Sequence, residues 1–181
     1  METQHTLYRG IGGLVLRLWL GYEWLSAGLP KVFGEGSAAW IGPKAGAAVT
    51  GFLKGALARA QFDPVKNPMP EVSGWYADFI SSVALPNAAL FSYLVAFGEV
   101  LVGLALILGL FTRFSAAAGG LMNLNYLLSG VSGLNPLMLI ASVVIIMFPA
   151  PAAGWIGLDR LVSPRLARLL GREDRRQAAP A

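Results

Sequence analysis

Hydrophobic residues run along this chain in long stretches, interrupted by one extended polar and proline-rich interval. The first stretch, from about Gly10 to Phe33, reads GIGGLVLRLWLGYEWLSAGLPKVF. The others run from about Asn87 to Phe111, from Phe114 to Leu134 and from Asn135 to Trp155. Each approaches the roughly 20 residues an α-helix needs to cross the hydrocarbon core of a bilayer. The pattern predicts an all-α integral membrane protein, a four-helix transmembrane bundle. Asn135-Pro136 suits a helix start, with Asn as cap and Pro in the first turn. FPAPAAG, at 148–154, should break the last helix. The opening METQHTLYRG is polar and no small-residue cleavage site follows, so the first stretch reads as an uncleaved span.

The interval 34–86 is too long for a simple connection. AGAAVTGFLKGALARA has helical spacing, with Val49, Phe52, Leu53 and Leu57 on one side. FDPVKNPMPEV carries three prolines and excludes regular helix. SGWYADFISSVALP is a second short helical segment, with Trp75, Tyr76 and Phe79 as interfacial aromatics. The expectation is a long extracytoplasmic loop carrying short interfacial helices, which either caps the outer mouth of the bundle or lies on the surface without chemical role.

Composition strengthens the membrane reading. Of 181 residues, 55% are hydrophobic and 13% are charged, against about 25% charged in ordinary soluble domains. Residues 1–160 form one membrane domain, and 161–181 form a basic tail. Six of the fourteen Lys and Arg residues lie between Arg160 and Arg176. That clustering marks a cytoplasmic end rather than a nucleic-acid surface. An even number of spans puts both termini on one side. That side would hold Arg9, Arg113 and the tail arginines, against Lys31, Lys44, Lys54, Arg59 and Lys66 on the other. The excess predicts a multi-pass protein of the cell (inner) membrane with both termini cytoplasmic.

Without cysteine, and with His5 its only histidine, the chain can build neither a thiolate metal site nor bis-histidine haem ligation. No metal or haem is expected. A redox role would need a dissociable partner such as a quinone, or a second redox subunit.

Ionisable groups at membrane depth cost roughly 2.5–3.5 kcal/mol each on insertion scales and mark function by default. With Arg9 and Arg113 taken as the cytoplasmic face, helical rise puts Glu23 and Glu99 at about 21 Å, Arg17 at about 12 Å, and Asn123 and Asn125 at about 15 and 18 Å. Gly10, Gly13, Arg17, Gly21, Trp24 and Gly28 share one helix face, where small residues permit close helix approach. Glu23 lies about 120° away from Arg17. Two readings follow. In one, Arg17, Glu99 and Asn123, with Asn125, Tyr126 and Glu23, form a polar pocket for a quinone head, an oxyanion or a proton. In the other, Arg17 and Glu99 form an interhelical clamp. Lys31 reads as a snorkelling anchor at the outer end, and Arg113 as a topology anchor.

At these residues the chain resembles the DoxX family, especially the DoxD-like membrane subunit of thiosulfate:quinone oxidoreductase. RLWLGYEWLSAGLPKVFG carries Arg17, Gly21, Gly28 and Lys31. GEVLVGLALILGLFTRFSAAAGGLMNLNYLLSG carries Glu99, Gly103, Gly109 and Arg113. NPLMLIASVVIIMFPAPAAGWIGLDR carries Asn135, Pro136, Gly154 and Asp159. The resemblance implies a four-helix membrane bundle that, in one branch, passes electrons from thiosulfate to a quinone (ubiquinone or menaquinone) and yields tetrathionate. Glu99 and Arg17 would then be catalytic, with Lys31, Asn123, Asn125, Glu23 and Tyr126 around the substrate or quinone. Its partners would be the bilayer, the quinone, and a second redox subunit or further copies of the chain. The alternative reading is a non-catalytic membrane protein of this type that anchors or assembles partner redox proteins.

Overall fold

The computed structural model describes residues 2–147, 157–162 and 165. Helix α1 spans Glu2–Phe33, followed by a 3-10 turn at Glu35–Ala39. The interval then forms α2 (Ala47–Ala60) and α3 (Gly74–Phe79), the latter continuing as a π turn over Ile80–Ala84. Helices α4 (Ala88–Leu108), α5 (Thr112–Leu128) and α6 (Asn135–Met147) complete the order. Among the described residues, α4 is the one helix both long and apolar enough to cross a membrane. The expected break at FPAPAAG and most of the basic tail lie outside the described residues.

The bundle is organised around the antiparallel pair α1 and α4. Gly10, Gly13, Arg17, Gly21, Trp24 and Gly28 are all buried, so the face read from their spacing is the packing face. Glycine allows this approach because a side chain would collide with the partner's backbone. A methyl group at Gly28 would lie 2.8 Å from the Val100 nitrogen, and one at Gly103 2.7 Å from the Leu25 nitrogen. Helix α5 packs on the same pair through Gly119, which faces Trp24 and Val102, and on α6 through Gly120, which faces Ser142. Leu20, Trp24, Val102, Leu106, Ala116, Met138, Ala141 and Ile145 form the core between these helices.

The interval 34–86 is a built cap with its own core, containing Val49, Leu53, Ala56, Val72, Tyr76 and Ile80. It is latched to the bundle by polar contacts. The Arg59 Nε donates to the Ser129 carbonyl at 3.1 Å, at the end of α5. The Tyr93 hydroxyl on α4 donates to the Ile41 carbonyl at 3.1 Å. Trp75 is exposed, as an interfacial aromatic would be, but Tyr76 is buried and Phe79 half-buried. Those two rings turn inward and pack tilted against each other, centroids 5.6 Å apart, where the cap meets the bundle.

Candidate functional site

Where the cap meets α1, α4 and α5, the helices border a cavity of about 550 Å3, within the usual range for small-molecule sites. Its wall is largely apolar and aromatic, with Phe52, Leu53, Phe79 and Phe91 among its members. Lys31 and Glu99 are the charged residues on that wall.

Glu99 is 1% exposed. Gly28 brings α1 against the Glu99 Cβ, and Lys31 stands three residues further along α1, about 4.5 Å of helical rise. The Lys31 ammonium therefore reaches back to the carboxylate and pairs with its Oε2. The Tyr126 hydroxyl, from α5, donates to Oε1 at 2.6 Å. Lys31 Nζ also sits 5.0 Å from the centre of the Trp40 ring, within cation–π range. One carboxylate thus holds groups from α1 and α5 together at the cavity wall, with the cation between an anion and an aromatic face. Such charge-assisted bonds are stronger than neutral ones.

A second polar pair borders the same space. Tyr76, from the cap, donates its hydroxyl to Asn125 Oδ1 at 3.0 Å, while Asn125 Nδ2 donates to the Leu121 carbonyl at 2.8 Å. Burial pushes the Tyr76 hydroxyl pKa up, offset in part by Ser129. The phenol therefore stays a donor.

Several expected neighbours are separated. Arg17 does not pair with Glu99. Its guanidinium lies against Gly109, whose φ of +66° is a glycine conformation, and 2.9 Å from where a methyl on Gly157 would stand. It interacts electrostatically with Asp159. Gly109 is ten residues from Glu99 along α4, about 15 Å of rise, so the proposed clamp and shared pocket are ruled out by distance. Asp159 in turn accepts from the Phe111 and Thr112 amides at 2.6 and 2.9 Å, capping the otherwise unpaired donors at the start of α5. Arg17 and Asp159 therefore fasten the far end of the bundle. Lys31 is turned inward rather than snorkelling outward. Asn123 is 0% exposed and off the cavity wall, and its amide has no hydrogen-bond partner. Glu23 is half-buried and also off the wall. Arg113 is exposed, as a topology anchor would be.

Sequence reasoning missed Trp40, and it named Tyr76 and Asp159 without the contacts they make. The role of Asp159 could have been found by asking what caps the α5 N-terminus. Tyr76 and Trp40 carry no such signal, because their roles depend on how the cap folds over the bundle. Among the described residues, no group of three or more His, Cys, Asp or Glu side chains is placed to hold a metal ion.

No curated protein and no solved structure gives a significant match to the chain. The DoxX family profile matches residues 12–129, a stretch that contains α2, α3, α4 and α5, most of α1 and every charged group of the cavity, and the chain belongs to the DoxX family of membrane proteins.

Proposed function

We propose that this chain is the quinone-binding membrane subunit of an oxidoreductase, with thiosulfate as the electron donor. It would sit in the inner membrane as a four-span bundle with both termini cytoplasmic. The observation that carries the reading is the cavity with the Lys31–Glu99–Tyr126 cluster on its wall. A quinone head is planar, neutral and rimmed by carbonyl acceptors. Aromatic walls suit its ring, and the Lys31 ammonium, with three N–H groups, brings donors to the same space beyond the one it gives to Glu99. A dianion fits this wall poorly, because the positive charge of Lys31 is already matched by Glu99. The donor is therefore oxidised outside the cavity, on a second redox subunit or another surface.

Joining two thiosulfates into tetrathionate forms one S–S bond and releases two electrons but no proton. A bound quinone supplies an acceptor for two electrons and two protons. The protons must come through the protein, and the reading gives their passage to Glu99, to which Tyr126 donates. Lys31 orients the carboxylate and holds its charge while a proton is replaced from water.

A second reading has its own support. Half-buried Lys31 and buried Arg17 have acidic partners within the chain, as expected of a non-catalytic membrane protein that anchors or assembles redox partners. The two readings separate by activity. Purified protein, alone and with membrane extract supplying a partner, is assayed for thiosulfate-dependent reduction of a decyl-tailed quinone, beside Glu99→Gln. The oxidoreductase reading expects reduction in the wild type and at least a hundredfold loss in a folded Glu99→Gln. No reduction by well-folded wild type under either condition selects the anchoring reading.

A further inference from the structure

The cavity is not closed on all sides. Leu94, Leu121 and Asn125 are the exposed members of its wall, the rest being half-buried or buried. Leu94 belongs to α4 and is 57% exposed; Leu121 belongs to α5 and is 62% exposed. Asn125 stands one turn from Leu121 on the same α5 face. The opening therefore lies between α4 and α5, on the side of the bundle, rather than through the cap. Beside Leu121 the two helices approach closely, and a methyl group on Gly98 would lie 3.3 Å from the Met122 sulfur. Leu94 is six residues into α4, so the opening begins about 9 Å from the helix start. On the membrane-spanning reading of α4, that depth lies inside the hydrocarbon and away from water.

The outward surroundings match. Leu90, Phe97 and Leu101, on α4 around the opening, are exposed apolar side chains, the surface expected against acyl chains. The wall groups able to hold a polar head lie deeper, on Lys31, Glu99 and Tyr126. A molecule entering between Leu94 and Leu121 would lead with its polar end and leave an apolar tail in the opening.

Resting on the quinone reading above, we infer that the ligand is a lipid-borne quinone with a long apolar tail, taken from the bilayer through a side portal between α4 and α5 with Leu94 and Leu121 on its rim. The tail is part of what is recognised. A tail-less quinone fits the cavity but leaves the portal empty.

The test measures equilibrium binding to the full chain in lipid nanodiscs by calorimetry. The probes are a decyl-tailed dimethoxy-benzoquinone and its tail-less counterpart. The variants are Leu94→Trp and Leu121→Trp, which narrow the rim, and Ile140→Trp, an exposed position on α6 off the cavity wall. Rim variants should bind the tailed probe at least tenfold more weakly and the tail-less probe as the wild type does, with Ile140→Trp unchanged for both. If the rim variants bind the tailed probe as tightly as the wild type does, or lose both probes equally, the portal is overturned while the cavity reading stands. If neither probe binds the wild type, the quinone reading fails and the portal with it. Should the rim variants not accumulate, a decyl quinone with a photoreactive group at its tail end is used on the unaltered protein. Labelling of α4 and α5 around Leu94 and Leu121 supports the portal; labelling confined to the cap overturns it.

Discussion

Glu99 answers at residue scale how a carboxylate persists deep in an apolar helix: a cation one turn along the neighbouring helix neutralises it, and a phenol fills its other oxygen. Removing one partner of such a pair strands the other charge. Glu99→Gln and Lys31→Met are each expected to cost ~3 kcal/mol, the low end for a buried pair because Lys31 keeps some exposure. The double variant should recover most of that stability, because no charge is left unpaired, yet recover none of the quinone reduction. Thermal unfolding in detergent checks the first half and turnover the second. A double variant as unstable as the worse single one would show that the pair is not the main contact. The pairing was hidden in the sequence by the choice of ruler. With Arg9 as the membrane face, Lys31 stood about 12 Å beyond Glu99. The glycine contact at Gly28 shows the true register: Lys31 is one turn from Glu99, and Arg17 belongs with Gly109. The legible signal was Gly28 and Lys31 at i, i+3 spacing on one face, since the glycine marks where α4 comes close.

The elements were easier to read than their contacts. Helices at 47–60 and 74–79 follow from apolar spacing between proline-rich breaks, and α4 from its unbroken apolar run. What spacing did not reveal is that the interval packs as a cap with a core, because its latches join segments far apart in sequence. One turn of that cap, closed by the backbone pair Asp63 and Asn67, is also braced by a carboxylate. Asp63 accepts from the Val65 and Lys66 amides, both at 2.8 Å, and those bonds to Lys66 and Val65 hold its pKa below the ordinary value. A depressed carboxylate pKa adds stability that is fully present above the unfolded value, about 3.9, and is lost as pH falls through the lower folded value. Hydrogen exchange at the Val65 and Lys66 amides, corrected for intrinsic rates, should therefore accelerate below about pH 4. In Asp63→Asn that acid step should vanish. An acid step that survives the substitution would assign the turn's order to another group.

For the whole molecule, the proposed division of labour is spatial. Arg17 and Asp159 fasten one end of the bundle, while Lys31, Glu99 and Tyr126 bind at the other, under the cap. The charge bias predicts that the fastened end faces the cytoplasm, and the absence of cysteine makes this simple to check. A single introduced thiol is the only one in the chain. Lys66→Cys should react with an impermeant maleimide in intact cells, and Arg113→Cys only after permeabilisation. The reverse pattern would invert the orientation. The all-α class and the family were legible because they rest on long apolar runs and glycine spacing, which are local properties. The cavity was not, because it is the space left between elements whose relative placement no local pattern states. Its content is the central claim, and quinone extracted from the protein purified out of native membranes tests it most directly. Beside the wild type stands Val95→Trp, which places a bulky ring on the cavity wall one turn before Glu99. The account predicts close to one quinone per chain in the wild type and little in the folded variant. Quinone absent from the wild type, or equal in both proteins, would contradict it.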